Sequence, residues 1–192
     1  MGNNRRAFNW RWCLVLSIPK EKKSSSGSEN TGQGFTGGST DNTSLGMGSP
    51  VNAGLNNPGN LRKSIDLFKG EVVPSKSPSF KQFKSADYGF RAMAVILLTY
   101  LKNYNADTIS KIITRYAPPS ENNTKSYIDF VVKETGIAKD EQLSFADFIS
   151  AGDSKYKKII RAMAWLEQGK KPDETALTNG YKLFLNEKFK IA

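Results

Sequence analysis

The sequence predicts a mainly α protein of the α+β class, in which a helical domain with a small β hairpin follows a disordered basic arm and a linker. Apolar residues recur with helical spacing through most of residues 87–185. Short apolar runs interrupted by Gly and Pro are confined to residues 61–83. Residues 24–53 contain almost no large apolar residue. One folded domain, residues 54–192, is therefore expected to follow two unpatterned segments.

The composition excludes several classes of chemistry. The 192 residues include no His and one Cys, Cys13. A Ser/His or Cys/His nucleophile pair, a His-ligated zinc site and a disulfide within the chain are thereby excluded, and we expect neither a metal site nor a cofactor. Proton transfer near neutral pH would fall to Asp, Glu, Tyr or Lys.

The first 23 residues form a basic arm that contains Trp10 and Trp12. Six basic residues against one acidic residue give this arm a net charge of +5 out of +10 for the chain. Its apolar run, residues 12–18, is too short to span a bilayer, and no small-residue cleavage pattern follows it. A poorly ordered terminus is expected, and docking on a partner or an anionic membrane surface is the alternative.

Residues 24–53 are rich in Gly, Ser, Thr and Asn, which predicts a flexible linker. The linker has a net charge of −2, so residues 54–192 keep a net charge of +7. This excess favours a polyanionic partner, such as an acidic cell-wall polymer, anionic lipid or nucleic acid.

Capping residues divide the domain into helices. The first helix begins at about Asp87 and is predicted by its apolar stripe. Further helices are predicted over residues 108–116, from Asn123 or Thr124 to Gly136, from Ser144 to about Gly152, from Ser154 to Gln168, and after Pro172 and Asp173. The last of these is expected to be weakened by Gly180. The stripe consists of Phe90, Met93, Ala94, Leu97, Leu98 and Leu101. The β hairpin is expected within residues 61–83, with Glu71 at its tip and with Phe68, Phe80 and Phe83 packed on the core.

A turn with strong sequence chemistry begins the domain. In Asn57-Pro58-Gly59-Asn60 the proline presets one dihedral angle and the glycine accepts a positive one. The turn is either an ordinary surface loop or a polar wall that binds a ligand rich in hydroxyl and amide groups.

Several motifs in fixed order resemble a family of phage and prophage proteins. They are Asn56 to Arg62, Phe68 to Glu71, Phe80 to Phe83, Tyr88 to Met93, Thr108-Ile109 with Ile112-Ile113, Ala117 to Thr124, and Tyr127-Ile128. Such proteins are described as virion structural proteins or lysozyme-like cell-wall proteins, and the Asn-Asn turn with Lys-Gly-Glu is also similar to the glucosaminidase branch of the lysozyme-like fold. That branch carries its acid on a helix before the Asn-Asn segment, where this chain has the linker. The family's late Glu-Asn-Gly signature is replaced here by Glu167-Gln168-Gly169.

The resemblance implies a lysozyme-like helical domain that cleaves peptidoglycan glycan strands as a lysozyme, lytic transglycosylase or glucosaminidase. A noncatalytic virion structural protein that keeps this fold is the alternative. Glycan cleavage needs an acid and either a second carboxylate or help from the sugar, and it needs no His. We expect a protein made in the host cytoplasm that acts in the virion or the cell envelope, contacts other virion proteins through its arm and has no transmembrane segment. Nucleic acid is not expected, since no basic helix face or aromatic RNA motif accompanies the charge.

Glu167 is the first candidate for the acid. At 100° per residue it lies within about 20° of Tyr156 on the apolar stripe that continues through Ile160 and Met163. It also lies in the last helical turn, where the dipole disfavours an anion. Both effects raise a carboxyl pKa, as a general acid requires. Solvent exposure, or pairing with Lys170 or Lys171, is the alternative.

Glu71 is the candidate second carboxylate or substrate clamp, across a groove lined by the Asn-Asn turn. Further substrate-binding candidates are Asn56, Asn57, Asn60, Glu121, Asn122, Asn123 and Tyr127, with Tyr116 or Tyr127 as a stacking platform. Helix capping is the alternative for the polar residues near residue 123.

Overall fold

The computed structural model describes residues 54–150 and 153–191, which contain six helices and one two-stranded sheet. The strands are β1 (Glu71–Val72) and β2 (Gln82–Phe83), and the helices are α1 (Ala86–Tyr104), α2 (Ile109–Tyr116), α3 (Thr124–Thr135), α4 (Ala146–Ile149), α5 (Lys155–Gln168) and α6 (Glu174–Phe189). The predicted mainly α class is confirmed. The arm, residues 1–23, and the linker, residues 24–53, lie outside the described residues and stay predictions.

Helix α1 is the centre of the packing, and it contacts α5, α6 and β2. Its predicted stripe is buried at Phe90, Met93, Leu97 and Leu98, each at most 4% exposed. Gly180, which was expected to weaken α6, lies where α6 crosses α1. A Cβ atom there would stand 2.3 Å from the backbone oxygen of Asp87, so the glycine permits close packing of the two helices.

Local capping explains where the helices around the site begin and end. Ser154 accepts a hydrogen bond from the Lys157 amide at the start of α5, and Gly169 ends that helix with a positive φ of 66°. Asn123 caps α3 in the same way, and Gly136 ends it. The predicted bounds of α3 and α5 are confirmed. The helix predicted from Ser144 to about Gly152 is shorter in the structure, where α4 covers Ala146–Ile149. Its N-cap is Phe145, and no side-chain hydrogen bond caps it, so the predicted cap at Ser144 was wrong.

The β element is smaller than a regular hairpin. Glu71 and Val72 pair antiparallel with Phe83 and Gln82, and a single bridge joins Arg62 to Phe80. The Phe68 and Phe83 rings lie 6.4 Å apart, and both side chains are buried as predicted, whereas Phe80 is half-buried. We refer to residues 61–84 as the ribbon. None of the described helices combines the length and the apolar content needed to cross a bilayer.

Candidate functional site

The Asn-Asn turn is fixed to the ribbon by the side chain of Asn57. Its Oδ1 accepts a hydrogen bond from the Leu61 amide at 2.9 Å, and its Nδ2 donates to the backbone oxygens of Leu61 and Lys81, both at 2.9 Å. Asn57 is 4% exposed. This amide is therefore used to hold the turn, and it is not presented to a ligand.

The same turn packs directly on the helices. A Cβ atom on Gly59 would lie 2.7 Å from the Tyr116 hydroxyl oxygen and 3.0 Å from the Met93 side chain. The Tyr116 hydroxyl donates a hydrogen bond to the Gly59 carbonyl oxygen. The turn thus packs closely on α1 and α2, and it brings Asn60 to the C-terminal end of α5.

Glu167 is where three distant segments meet. Its Oε2 accepts a hydrogen bond from Asn60 Nδ2 at 2.9 Å, and its backbone oxygen accepts from the same nitrogen at 3.1 Å. Its Oε1 accepts from the Tyr127 hydroxyl at 3.0 Å. The turn, the first turn of α3 and the last turn of α5 are thus joined through one carboxylate.

The surroundings of Glu167 favour its protonated form. Burial raises the pKa of its carboxyl, and the hydrogen bonds from Tyr127 and Asn60 offset only part of that rise. The last turn of α5 contains no basic residue. Burial, with the nearby Glu167 charge, raises the Tyr127 pKa well above its usual value, so Tyr127 stays a hydrogen-bond donor.

The helical stripe predicted this orientation of Glu167. Tyr156, Ile160 and Met163 are fully buried, and Glu167 lies half-buried on the same side of α5. No ion pair among the described residues joins Glu167 to Lys170 or Lys171. The Lys171 ammonium lies instead 4.9 Å from the centre of the Trp165 ring.

Glu71 does not lie at a hairpin tip. It begins β1, and its Oε1 lies 2.8 Å from Lys81 Nζ, with side-chain exposures of 7% for Glu71 and 2% for Lys81. Its Oε2 accepts a hydrogen bond from the Phe68 amide at 2.9 Å. The expected position was wrong because two-residue strands leave no periodic pattern that fixes their ends. These contacts favour a structural role for Glu71.

The sequence reasoning missed Lys81. Lys81 lies in a run of three buried residues, 81–83, so no alternation of inward and outward side chains marks it in the sequence. Its burial depends instead on the ion pair with Glu71. Its ammonium also donates to the Asp66 carbonyl oxygen at 2.8 Å.

Two other predicted binding residues also hold the protein's own groups. Asn56 Nδ2 donates to the Phe83 carbonyl oxygen at 3.0 Å, although Asn56 is an exposed residue. Tyr127 is 6% exposed, and its ring meets Tyr116 edge-on with centres 6.5 Å apart. A ring this buried offers no open face for a sugar. Tyr127 contributes to the site instead through its hydroxyl group, which donates a hydrogen bond to Glu167.

The loop between α2 and α3 is exposed and lies next to the ribbon. Glu121 forms an ion pair with Arg62 at 3.4 Å. Asn122 Nδ2 donates to the Pro118 carbonyl oxygen at 3.3 Å, and Asn123 is the cap of α3. All three predicted residues are exposed. They are accessible to a ligand, and Asn123 also has the structural role that was its alternative.

The described residues contain no group of three or more His, Cys, Asp or Glu that could hold a metal ion. The arrangement offers instead one half-buried carboxyl with a raised pKa and two neutral hydrogen-bond donors. Such a carboxyl keeps its proton to higher pH than an exposed glutamate does. It is suited to giving that proton to a basic oxygen.

The comparisons with known proteins give one phage relative. No family model matches the chain. The chain is 38% identical over 120 residues to Protein P5 of Pseudoalteromonas phage PM2, and the match covers 61% of this chain and 70% of the relative.

Proposed function

The chain belongs to the family of Protein P5 of Pseudoalteromonas phage PM2, and we propose that it is a virion-associated, lysozyme-like protein that cleaves peptidoglycan glycan strands in the cell envelope. The observation that carries this proposal is the Glu167 carboxyl, whose pKa is raised by burial. Glycoside cleavage requires a protonated carboxyl near neutral pH. The absence of His from the chain leaves a carboxylic acid as the natural general acid.

In the proposed reaction the Glu167 carboxyl gives its proton to the glycosidic oxygen as the bond from that oxygen to the anomeric carbon breaks. Asn60 and Tyr127 hold the carboxylate that remains. Because Glu71 is held by Lys81, the second role is assigned to the acetamido oxygen of the sugar, which attacks the anomeric carbon. Water then opens this intermediate and returns a proton to Glu167.

A noncatalytic virion structural protein is the second candidate. The observation that favours it is that both oxygens of Glu167 already accept hydrogen bonds from the protein. In this role Glu167 would tie the Asn-Asn turn to α3 and α5. In the catalytic role Glu167 must donate a proton, whereas in the structural role it only has to accept hydrogen bonds.

A turbidity assay on purified peptidoglycan distinguishes the two functions. The substitution Glu167→Gln keeps the size of the side chain and removes the acid, and Glu134→Gln is the matched control because Glu134 is exposed on α3. We expect the wild type and Glu134→Gln to clear the suspension, and folded Glu167→Gln to lose at least about a hundredfold in rate. Undiminished clearing by Glu167→Gln would contradict the assignment of the acid. No clearing by folded wild type over a range of salt and pH would favour the structural role.

A further inference from the structure

The ribbon exposes aliphatic side chains that no packing within the described residues explains. Ile65 is 91% exposed, and Leu67 and Val73 are each 66% exposed. Soluble domains normally show isolated apolar side chains, and a group of them in one short element marks an interaction site. We infer that the ribbon is a docking surface for a membrane with anionic headgroups, into which Ile65 and Leu67 insert.

The fold itself holds these side chains outward. Phe68 is buried, and its amide donates to Glu71 Oε2, which fixes the end of the segment. The backbone oxygen of Asp66 accepts a hydrogen bond from the buried Lys81 ammonium at 2.8 Å. The backbone on both sides of Leu67 is therefore fixed from within the fold, while Ile65 and Leu67 keep their side chains exposed.

The charge of the ribbon matches an anionic surface. Its five exposed basic residues are Arg62, Lys63, Lys69, Lys76 and Lys84. Arg62 and Lys69 also contact Glu121 and Glu187, at 3.4 and 3.9 Å, so the surplus rests mainly on the three other lysines. Of the two ribbon acids, Glu71 is neutralised by Lys81. Basic side chains around inserted aliphatic residues are the pattern of an interfacial membrane contact.

Other occupants fit less well. The arm, residues 1–23, has a net charge of +5, and a second copy of the chain brings the same lysines, so both would be repelled by this surface. Protein interfaces concentrate aromatic residues and depend on packed pockets, whereas the exposed apolar side chains here are aliphatic and, at Ile65, almost completely solvated. The ribbon surface is separate from the Glu167 carboxylate in its residues and in its chemistry.

Cosedimentation of the full chain with phosphatidylcholine vesicles, with and without about one third phosphatidylglycerol, tests this inference. We expect binding to the anionic vesicles, weakened by 0.5 M salt, and binding about tenfold or more weaker for Ile65→Ser with Leu67→Ser. Ile191→Ser is the matched control, because Ile191 is 40% exposed outside the ribbon. The double variant should still clear peptidoglycan at the wild-type rate, provided that the wild type does so.

An environment-sensitive fluorophore reports insertion directly and does not depend on a loss of binding. Cys13 is the only cysteine, so a Cys13→Ser background accepts a single label at Ile65→Cys or, as control, at Ile191→Cys. We expect a blue shift with anionic vesicles for the label at position 65 and none for the label at position 191. Equal binding by the double variant, no binding by the wild type, or no shift at position 65 would overturn the inference and point to a protein partner.

Discussion

The buried ion pair between Glu71 and Lys81 gives a prediction that separates a structural glutamate from a catalytic one. Lys81 Nζ lies 2.8 Å from Glu71 Oε1, and the two side chains are 2% and 7% exposed. The substitution Glu71→Gln keeps the shape of the side chain and removes its charge. The Lys81 ammonium is then left buried without a counter-ion.

The expected loss follows from this burial. Removing one partner of a buried ion pair costs about 3–5 kcal/mol of unfolding free energy. The carbonyl oxygen of Asp66 still accepts from the ammonium, and the glutamine can do so too, which places the loss near the lower limit, about 3 kcal/mol.

The exposed pair Lys125 and Asp129 is the matched control. Its atoms are equally close, at 2.7 Å, but its side chains are 87% and 59% exposed. Asp129→Asn should therefore cost only about 0–1 kcal/mol. The difference between the two variants isolates the effect of burial from that of distance.

Urea denaturation at pH 7, followed by circular dichroism, measures both losses, and Lys81→Met in the Glu71→Gln background completes the test. The double variant should recover part of the loss, because no charge is left buried. A loss below about 1 kcal/mol for Glu71→Gln, together with lost peptidoglycan clearing, would refute the structural role and return Glu71 to the catalytic site.

Three further predictions concern the elements around the site. Gly180→Ala should lower the unfolding free energy by about 1–3 kcal/mol or more, because its Cβ would meet the Asp87 carbonyl, whereas Asn179→Ala on the exposed face should not. Ser154→Ala should cost about 1–2 kcal/mol by thermal melting, because the hydroxyl caps α5 and donates to the Tyr181 oxygen at 2.8 Å. The pKa of Glu167 is raised in the folded state, so its protonated carboxyl contributes to stability. This contribution is fully present at pH values below the pKa of the unfolded state, and it is lost as the pH rises through the pKa of the folded state. The unfolding free energy of Glu167→Gln relative to wild type should therefore increase between pH 3 and pH 8, and a difference that falls over this range would contradict the raised pKa.

Much of the helical fold was predictable because its signals are local. The ends of α5 are set by Ser154 and Gly169, and those of α3 by Asn123 and Gly136, each within one turn of the residues it caps. The inward position of Glu167 followed from the same helical period. Such information lies within a few consecutive residues.

The partners of Glu167 were not predictable, because they come from distant segments. Asn60 precedes it by 107 residues and Tyr127 by 40 residues. The ribbon was poorly predicted for another reason, since its strands have two residues each and its order depends on buried side-chain contacts such as that of Lys81. The packing role of Gly180 was not predicted, because propensity within a helix carries no information about the neighbouring helix.

Mass spectrometry of the soluble fraction released from purified peptidoglycan tests the central claim most directly. The proposal predicts that the wild type releases glycan fragments cut at glycosidic bonds with the stem peptides intact, and that folded Glu167→Gln releases none. Release of the same fragments by Glu167→Gln would contradict the role of this carboxyl. Absence of fragments with folded wild type would contradict glycan cleavage itself.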